Sequence, residues 1–240
     1  MARKILTDKE KKKRRKRGII IILVILVLLG VGGYFGYKYI DKKLHPTAVE
    51  VKELDKVETK GYDYGYRLTD LDSKYYQEEF KKLKEILTKD DINFDDYATQ
   101  MAKCFAIDLY TMSTKLNKYD IGGQEFMYSE DQENYGKYII NNTYDHLIDN
   151  TFGDRKQDLP EVTSVNVVSS EKISYLLDTK KVDAYLVKME LTYKGTKAKP
   201  ELSVVIVKEE DGKKLGIVDV QDTLKGKYDS VSSNTKTSKK

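Results

Sequence analysis

A single cysteine, Cys104, in 240 residues rules out an intrachain disulfide. A domain outside the cytosol without disulfides is unusual in a eukaryotic secretory route and ordinary in bacteria. The Asn141-Asn142-Thr143 sequon would matter only in the former setting. Histidine is nearly as scarce. His45 and His146 are the only two, and neither has a histidine or cysteine at ligand spacing, so no transition-metal site is expected. The chain has no G-x-x-x-x-G-K-[ST] loop to cradle phosphates and no G-x-S-x-G nucleophile turn. It also shows no internal repeat.

A net positive balance is missing from most of the chain, although the total is +4. Residues 1–17 hold ten Lys/Arg and two acids, which leaves the remainder at −4. The basic balance therefore belongs to the tail, and nucleic acid is not an expected partner of the folded part.

No charge occurs from Ile19 to Tyr37, and Ile19–Leu29 is apolar throughout. About 20 such residues cross a hydrocarbon core of about 30 Å. A soluble core helix would keep a polar face. Tyr34, Phe35, Tyr37 and Tyr39 cluster at one end, where amphipathic rings prefer the headgroup level. The Lys11–Arg17 block sets the N-terminus in the cytosol. The apolar stretch is too long for a cleaved signal and lacks an Ala-x-Ala-like site, so an uncleaved anchor is expected. Gly32 and Gly36 form a small-xxx-small pair that could bring two such helices together as a homo-oligomer.

The expected order is a basic cytoplasmic tail over 1–17, a transmembrane helix over 18–40 and a stalk over 41–72. An extracytoplasmic α+β domain over 73–222 and a disordered tail over 223–240 follow. In the stalk, Tyr62, Tyr64, Tyr66 and Leu68 alternate as in a short strand. Three helices come next. The first, capped by Asp72 or Ser73, runs to Leu87. The second, capped by Asn93, runs to Leu116 with Tyr97, Met101, Cys104, Phe105 and Leu109 on one stripe, and Gly122-Gly123 breaks the chain after it. The third starts at a capping box, Ser129-Glu130-Asp131-Gln132, and runs to about Asn150. After Pro160 the period falls to two. Strands are expected over Val162–Ser169, Lys172–Leu177, Val182–Tyr193, Leu202–Lys208 and Lys214–Gln221, with Asp211-Gly212 as a hairpin turn. Helices followed by a meander predict α+β, with helices on one face of a curved antiparallel sheet.

Chemistry is sparse. Asp91-x-Asn93-x-Asp95 copies half a calcium loop, but Asp96 and Ala102 stand where glycine and glutamate belong, so the cluster reads as a helix cap. Cys104 lies on the apolar stripe as a buried, inert thiol. Asp108 falls near that stripe and is expected to face solvent. No catalytic, cofactor-binding or metal-binding residue is assigned, and no enzyme activity is expected.

A short cytosolic tail, one span at Ile19–Tyr37, the helix Asn93–Leu116 and the strands Val182–Tyr193, Leu202–Lys208 and Lys214–Gln221 together resemble the VirB8-type and TcpC-type proteins. The resemblance is one of architecture and covers most of the chain. No motif carries functional residues across. It implies an NTF2-like (cystatin-like) outer domain and a non-enzymatic scaffold of a bacterial envelope, such as a conjugative type IV secretion subunit, with envelope proteins as partners. The alternative is an extracytoplasmic domain that binds or senses a small ligand or cell-wall fragment.

Overall fold

The computed structural model describes residues 8–44, 46–197 and 199–222, with the side chains of residues 8–24, 42 and 222 excluded. The chain divides into two units, Met1–Ala48 and Val49–Lys240.

The first unit contains one helix, α1 (Asp8–Leu44). Its described apolar side chains, among them Leu28, Leu29, Val31, Phe35 and Ile40, are exposed. Among the described residues no helix is long and apolar enough to cross a membrane. The side chains of Ile19–Val24, the most apolar part of the expected span, lie outside the described set, as do those of the basic tail. His45 and the tail over 223–240 also lie outside it.

The second unit opens with β1 (Glu53–Thr59) and β2 (Tyr62–Thr69), an antiparallel hairpin closed at Lys60-Gly61. Both turn residues have positive φ, 50° and 74°. This hairpin corrects the expected stalk. Tyr64, Tyr66 and Leu68 are buried, so residues from Val49 onward belong to the folded unit. The period-two signal was visible, but its burial depends on helices that come later in the chain.

Helix α2 (Lys74–Leu87) starts at Ser73, whose Oγ accepts from Tyr76 N–H at 3.1 Å. It buries Tyr76, Phe80, Leu83 and Leu87 along one stripe. Helix α3 (Phe94–Tyr110) starts at Asn93, whose Oδ1 accepts from the N–H groups of Asp95 (3.0 Å) and Asp96 (3.4 Å). Those two acids sit in its first turn, where they favour the helix dipole. The helix ends at Tyr110, short of the expected Leu116, and a 3₁₀ turn over Met112–Thr114 follows.

The third expected helix is much shorter. Helix α4 covers Gln132–Tyr138 and runs into a π-helical turn, Ile139–Thr143. The capping box does not form. Ser129 N–H and Oγ–H donate to Glu209 Oε1 at 2.9 and 3.0 Å, so the residue is bound to the sheet's last hairpin. The helix is stopped by its own side chains: Asn141 and Asn142 amides donate to the carbonyls of Lys137 and Tyr138, both at 2.8 Å. Such local bonds compete with helical ones.

β3 (Val162–Leu177), β4 (Lys180–Tyr193), β5 (Glu201–Lys208) and β6 (Leu215–Asp222) form an antiparallel meander in that order. The two strands expected over 162–177 are one. The ladder shifts register between Val167 and Ser169, and the break in alternation that suggested a turn is a bulge. The Asp211-Gly212 turn closes β5 on β6, with Gly212 at φ 68°. The face of the sheet carrying Val187, Met189, Leu191, Val204, Ile206 and Ile217 shares one core with the hairpin and with α2 and α3. The opposite face carries a second cluster around Ala184, Val205, Val207, Val218 and Tyr128. The fold is α+β with an antiparallel sheet, as expected.

Candidate functional site

Asp108 sits four residues after Cys104 and seven after Met101, on the buried stripe of α3. It does not face solvent as expected. Its side chain is 14% exposed and pairs with Lys115, which is 6% exposed. Its Oδ2 accepts from Gly123 N–H at 2.7 Å. Burial lowers the lysine's pKa, but the charge of Asp108 outweighs it and the net shift is upward, so Lys115 stays charged.

The loops around this pair are pinned by backbone packing. A Cβ on Gly122 would lie 2.2 Å from the Asp108 carbonyl oxygen, and one on Gly123 would lie 2.7 Å from the Phe105 ring. Gly123 also has φ 75°. The glycine pair therefore lays the loop directly on α3 and aims an N–H at the carboxylate; it does not terminate the helix. On the other side, the Arg155 guanidinium donates to the carbonyls of Ser113 (2.9 Å), Lys115 (2.8 Å) and Ile148 (3.2 Å), fixing the segment that carries the lysine.

Asp108 and Lys115 line a cavity of about 210 Å³ together with Asp72, Tyr76, Thr114 and Glu125. Asp72, considered as a helix cap, is turned instead to accept from Thr69 N–H (2.7 Å) and Oγ1–H (2.9 Å). Burial, and then the charge of Asp108, raises its carboxyl above the ordinary range. Glu125 projects from a 3₁₀ turn, Gln124–Phe126. It accepts from Arg67 N–H at 3.1 Å and, at the limit of a hydrogen bond, from Tyr76 O–H at 3.5 Å. Burial and the neighbouring Asp108 push its pKa well above the ordinary value, so this carboxyl keeps its proton to higher pH than a free one. Arg67 lies at the rim and is forked onto Asp63.

The chemistry of this arrangement is mixed. One carboxylate is neutralised by a lysine, one is held by a threonine, and one carboxyl offers a proton. Among the described residues no group of three or more His, Cys, Asp or Glu is placed to hold a metal ion. The cavity is a polar recess that holds both donors and acceptors.

The other residues singled out in the sequence lie elsewhere. Cys104 is fully buried and its thiol is pushed well up by burial, so it stays neutral and unreactive. His146 is exposed beside Asp145. Asp95 pairs with Lys172 at 2.9 Å. Glu125 and Lys115 carried no sequence signal, because both lie in short irregular turns. Asp108 did carry one, the 3–4 spacing from Met101 and Cys104.

The chain matches no family model, no curated protein and no solved structure.

Proposed function

We propose that this chain is a membrane-anchored binding module, with residues 18–40 as an N-in anchor and the unit from Val49 onward outside the cell. The anchor reading rests on the uncharged run Ile19–Tyr37, the basic block before it and the exposed apolar side chains of the described part of α1. The unit outside works without catalysis. It recognises a small polar molecule rich in hydroxyl or ammonium donors, such as an amino sugar of a cell-wall fragment.

The observation that carries this reading is the cavity of Asp72, Asp108, Lys115 and Glu125. Its acceptors outnumber its donors, so it favours a ligand that brings its own protons. Asp108 is already neutralised by Lys115, which leaves Glu125 as a single proton carrier without a matched base. That arrangement suits recognition better than acid–base turnover. The test is thermal unfolding of the full chain in detergent micelles with glucosamine. A saturable rise in the midpoint is expected, and it should be lost in Asp72→Asn and Glu125→Gln. No rise in the wild type, or an equal rise in both variants, would sink the reading.

A second reading is the scaffold, an NTF2-like outer domain docking other envelope subunits such as those of a conjugative secretion system. It is favoured by the order of helices and meander and by the second apolar cluster, where Ile173, Tyr175, Leu177, Val182 and Leu186 are only half-buried.

A further inference from the structure

Three connections of the second unit meet around one cleft. They are the Lys60-Gly61 turn of the β1–β2 hairpin, the loop over 88–93 between α2 and α3, and the Asp211-Gly212 turn between β5 and β6. Tyr62 ties the first to the last, because its O–H donates to Asp211 Oδ2. The other carboxylate oxygen of Asp211 accepts from the N–H groups of Lys213 (2.8 Å) and Lys214 (3.1 Å), which sets the shape of that turn. The cleft between the three has a volume of about 210 Å³. Its floor is apolar and is made by Tyr62, Tyr64, Leu87, Ile92 and Phe94. Tyr62 stands edge-on to Tyr64 with ring centroids 4.7 Å apart. Tyr64 and Leu87 are buried, whereas Tyr62, Ile92 and Phe94 are half-buried and reach the open side.

The charge around this floor is of one sign once pairs are discounted. Asp90 is the one acid of the lining, and Lys60 pairs with it at 2.8 Å. Lys89 and Lys213, the other charged residues of the lining, make no ion pair among the described residues. The Lys213 ammonium lies instead 5.0 Å from the centre of the Tyr62 ring, and that of Lys208 lies 3.6 Å from the centre of the Phe94 ring. Ring faces hold cations in this way. The sequence beyond the basic tail is net acidic, so a cleft rimmed by unpaired lysines runs against the balance of its own unit. Charge of one sign in a walled cleft draws a ligand of the other sign. An apolar floor gives hydroxyl groups no partners, so it disfavours a polyol. A phosphate dianion costs more to desolvate than a carboxylate. Pockets for drug-sized ligands start at roughly 300 Å³, so this one takes a single ring or side chain. We propose that the cleft binds a carboxylate carried on a compact apolar body, with the charge at Lys89 and Lys213 and the body on the floor. The source is either a free apolar acid or the C-terminal residue of a polypeptide. The cleft shares no lining residue with the cavity of Asp72 and Glu125, and it stands whether or not that cavity binds a ligand.

The test is isothermal titration of the full chain in micelles of an uncharged detergent, with protein-free micelles as the blank. The probes are 4-phenylbutyrate, the peptide acetyl-Ala-Phe with a free C-terminus, and the same peptide as its C-terminal amide. Saturable binding of at least one of the two acids is expected, with the amide at least tenfold weaker than the acid peptide or not bound. Binding of the peptide acid alone supports a polypeptide C-terminus as the ligand. Binding of phenylbutyrate supports the proposal with a free acid sufficient. Lys89→Met with Lys213→Met, which keeps the stems and removes both charges, is expected to weaken binding at least tenfold. Failure of both acids to bind means that the lysines are a solvated rim only, and it overturns the proposal. So does binding of the amide as tight as that of the acid peptide, or undiminished binding by the folded double variant. The comparison of acid with amide uses the wild type and decides the matter even where the variant does not fold.

Discussion

Two glutamates, one buried and one half-buried, titrate in opposite senses, and each leaves its own mark on stability. Glu79 is 3% exposed. Burial raises its pKa, but bonds from Gln100, Lys103 and Lys82 outweigh this and hold it below the ordinary value. A depressed acid stabilises the fold above its unfolded pKa of about 4.3, and that contribution is lost as pH falls through the lower folded value. Glu125 is raised, so the sign reverses. Below about pH 4.3 it is protonated in both states and costs nothing; above that the unfolded chain ionises while the folded one does not, and stability falls with rising pH. Glu125→Gln removes this penalty. It is expected to raise the unfolding midpoint at pH 7 by the equivalent of roughly 1 kcal/mol, and to have no effect near pH 4. Thermal melts at the two pH values check this; an equal effect at both would contradict the assignment. The Asp108–Lys115 pair makes a second prediction. Asp108→Asn strands a buried lysine and should cost about 3–5 kcal/mol, whereas Asp108→Leu with Lys115→Met should recover most of that loss. Denaturant titration of the single and double variants reads the difference. Asp108 shows how far a sequence reaches at this scale: its spacing from Cys104 put it near the buried stripe and left it facing solvent, whereas the fold turns it inward onto a partner in a turn that no periodicity marks.

At the scale of elements, helix starts were more legible than helix ends. Ser73 and Asn93 cap by bonds to N–H groups two or three residues away, so the signal is local. Ends depend on distant contacts. Helix α3 stops at Tyr110, where the following turn is tied to later segments: Ser113 N–H donates to the Pro160 carbonyl at 3.1 Å, and Arg155 holds the carbonyls beyond it. Ser129 fails as a cap because Glu209, 80 residues away, offers a better acceptor. The glycine pair at 122–123 was read as a helix breaker, yet its purpose is close approach. Gly122→Ala would push a Cβ into the Asp108 carbonyl, which is backbone and cannot swing aside. The expected cost is about 1–3 kcal/mol in denaturant melts. It should also be accompanied by loss of glucosamine binding, because the Gly123 N–H is drawn off Asp108. A stable Gly122→Ala chain with unchanged binding would show that the loop is not pinned there.

At the scale of the whole molecule, the two units raise separate questions. Gly32 and Gly36 on α1 have open space where a Cβ would stand, which is what a close helix pair needs. If they hold a dimer in the bilayer, Gly32→Leu with Gly36→Leu should shift the full chain in micelles from dimer to monomer in light scattering. A chain that is monomeric from the outset would remove the role. The second unit begins earlier than the composition suggested, because the β1–β2 hairpin supplies Tyr66 to the centre of the core. Tyr66 bonds to the Tyr97 hydroxyl at 2.7 Å and packs against Phe126 with ring centroids 4.8 Å apart.

By itself the sequence determined what periodicity, composition and local capping can encode. These are the uncharged run at Ile19–Tyr37, the stripes of α2 and α3, the meander and its Asp-Gly turn, and a core cysteine without reactivity. Only the tertiary structure decided which polar groups meet. Asp72, Asp108, Lys115 and Glu125 come from four separate segments, and the fold brings them to one cavity. Burial and pairing of charge are properties of the packed chain, set by where separate segments meet, and no local pattern records them.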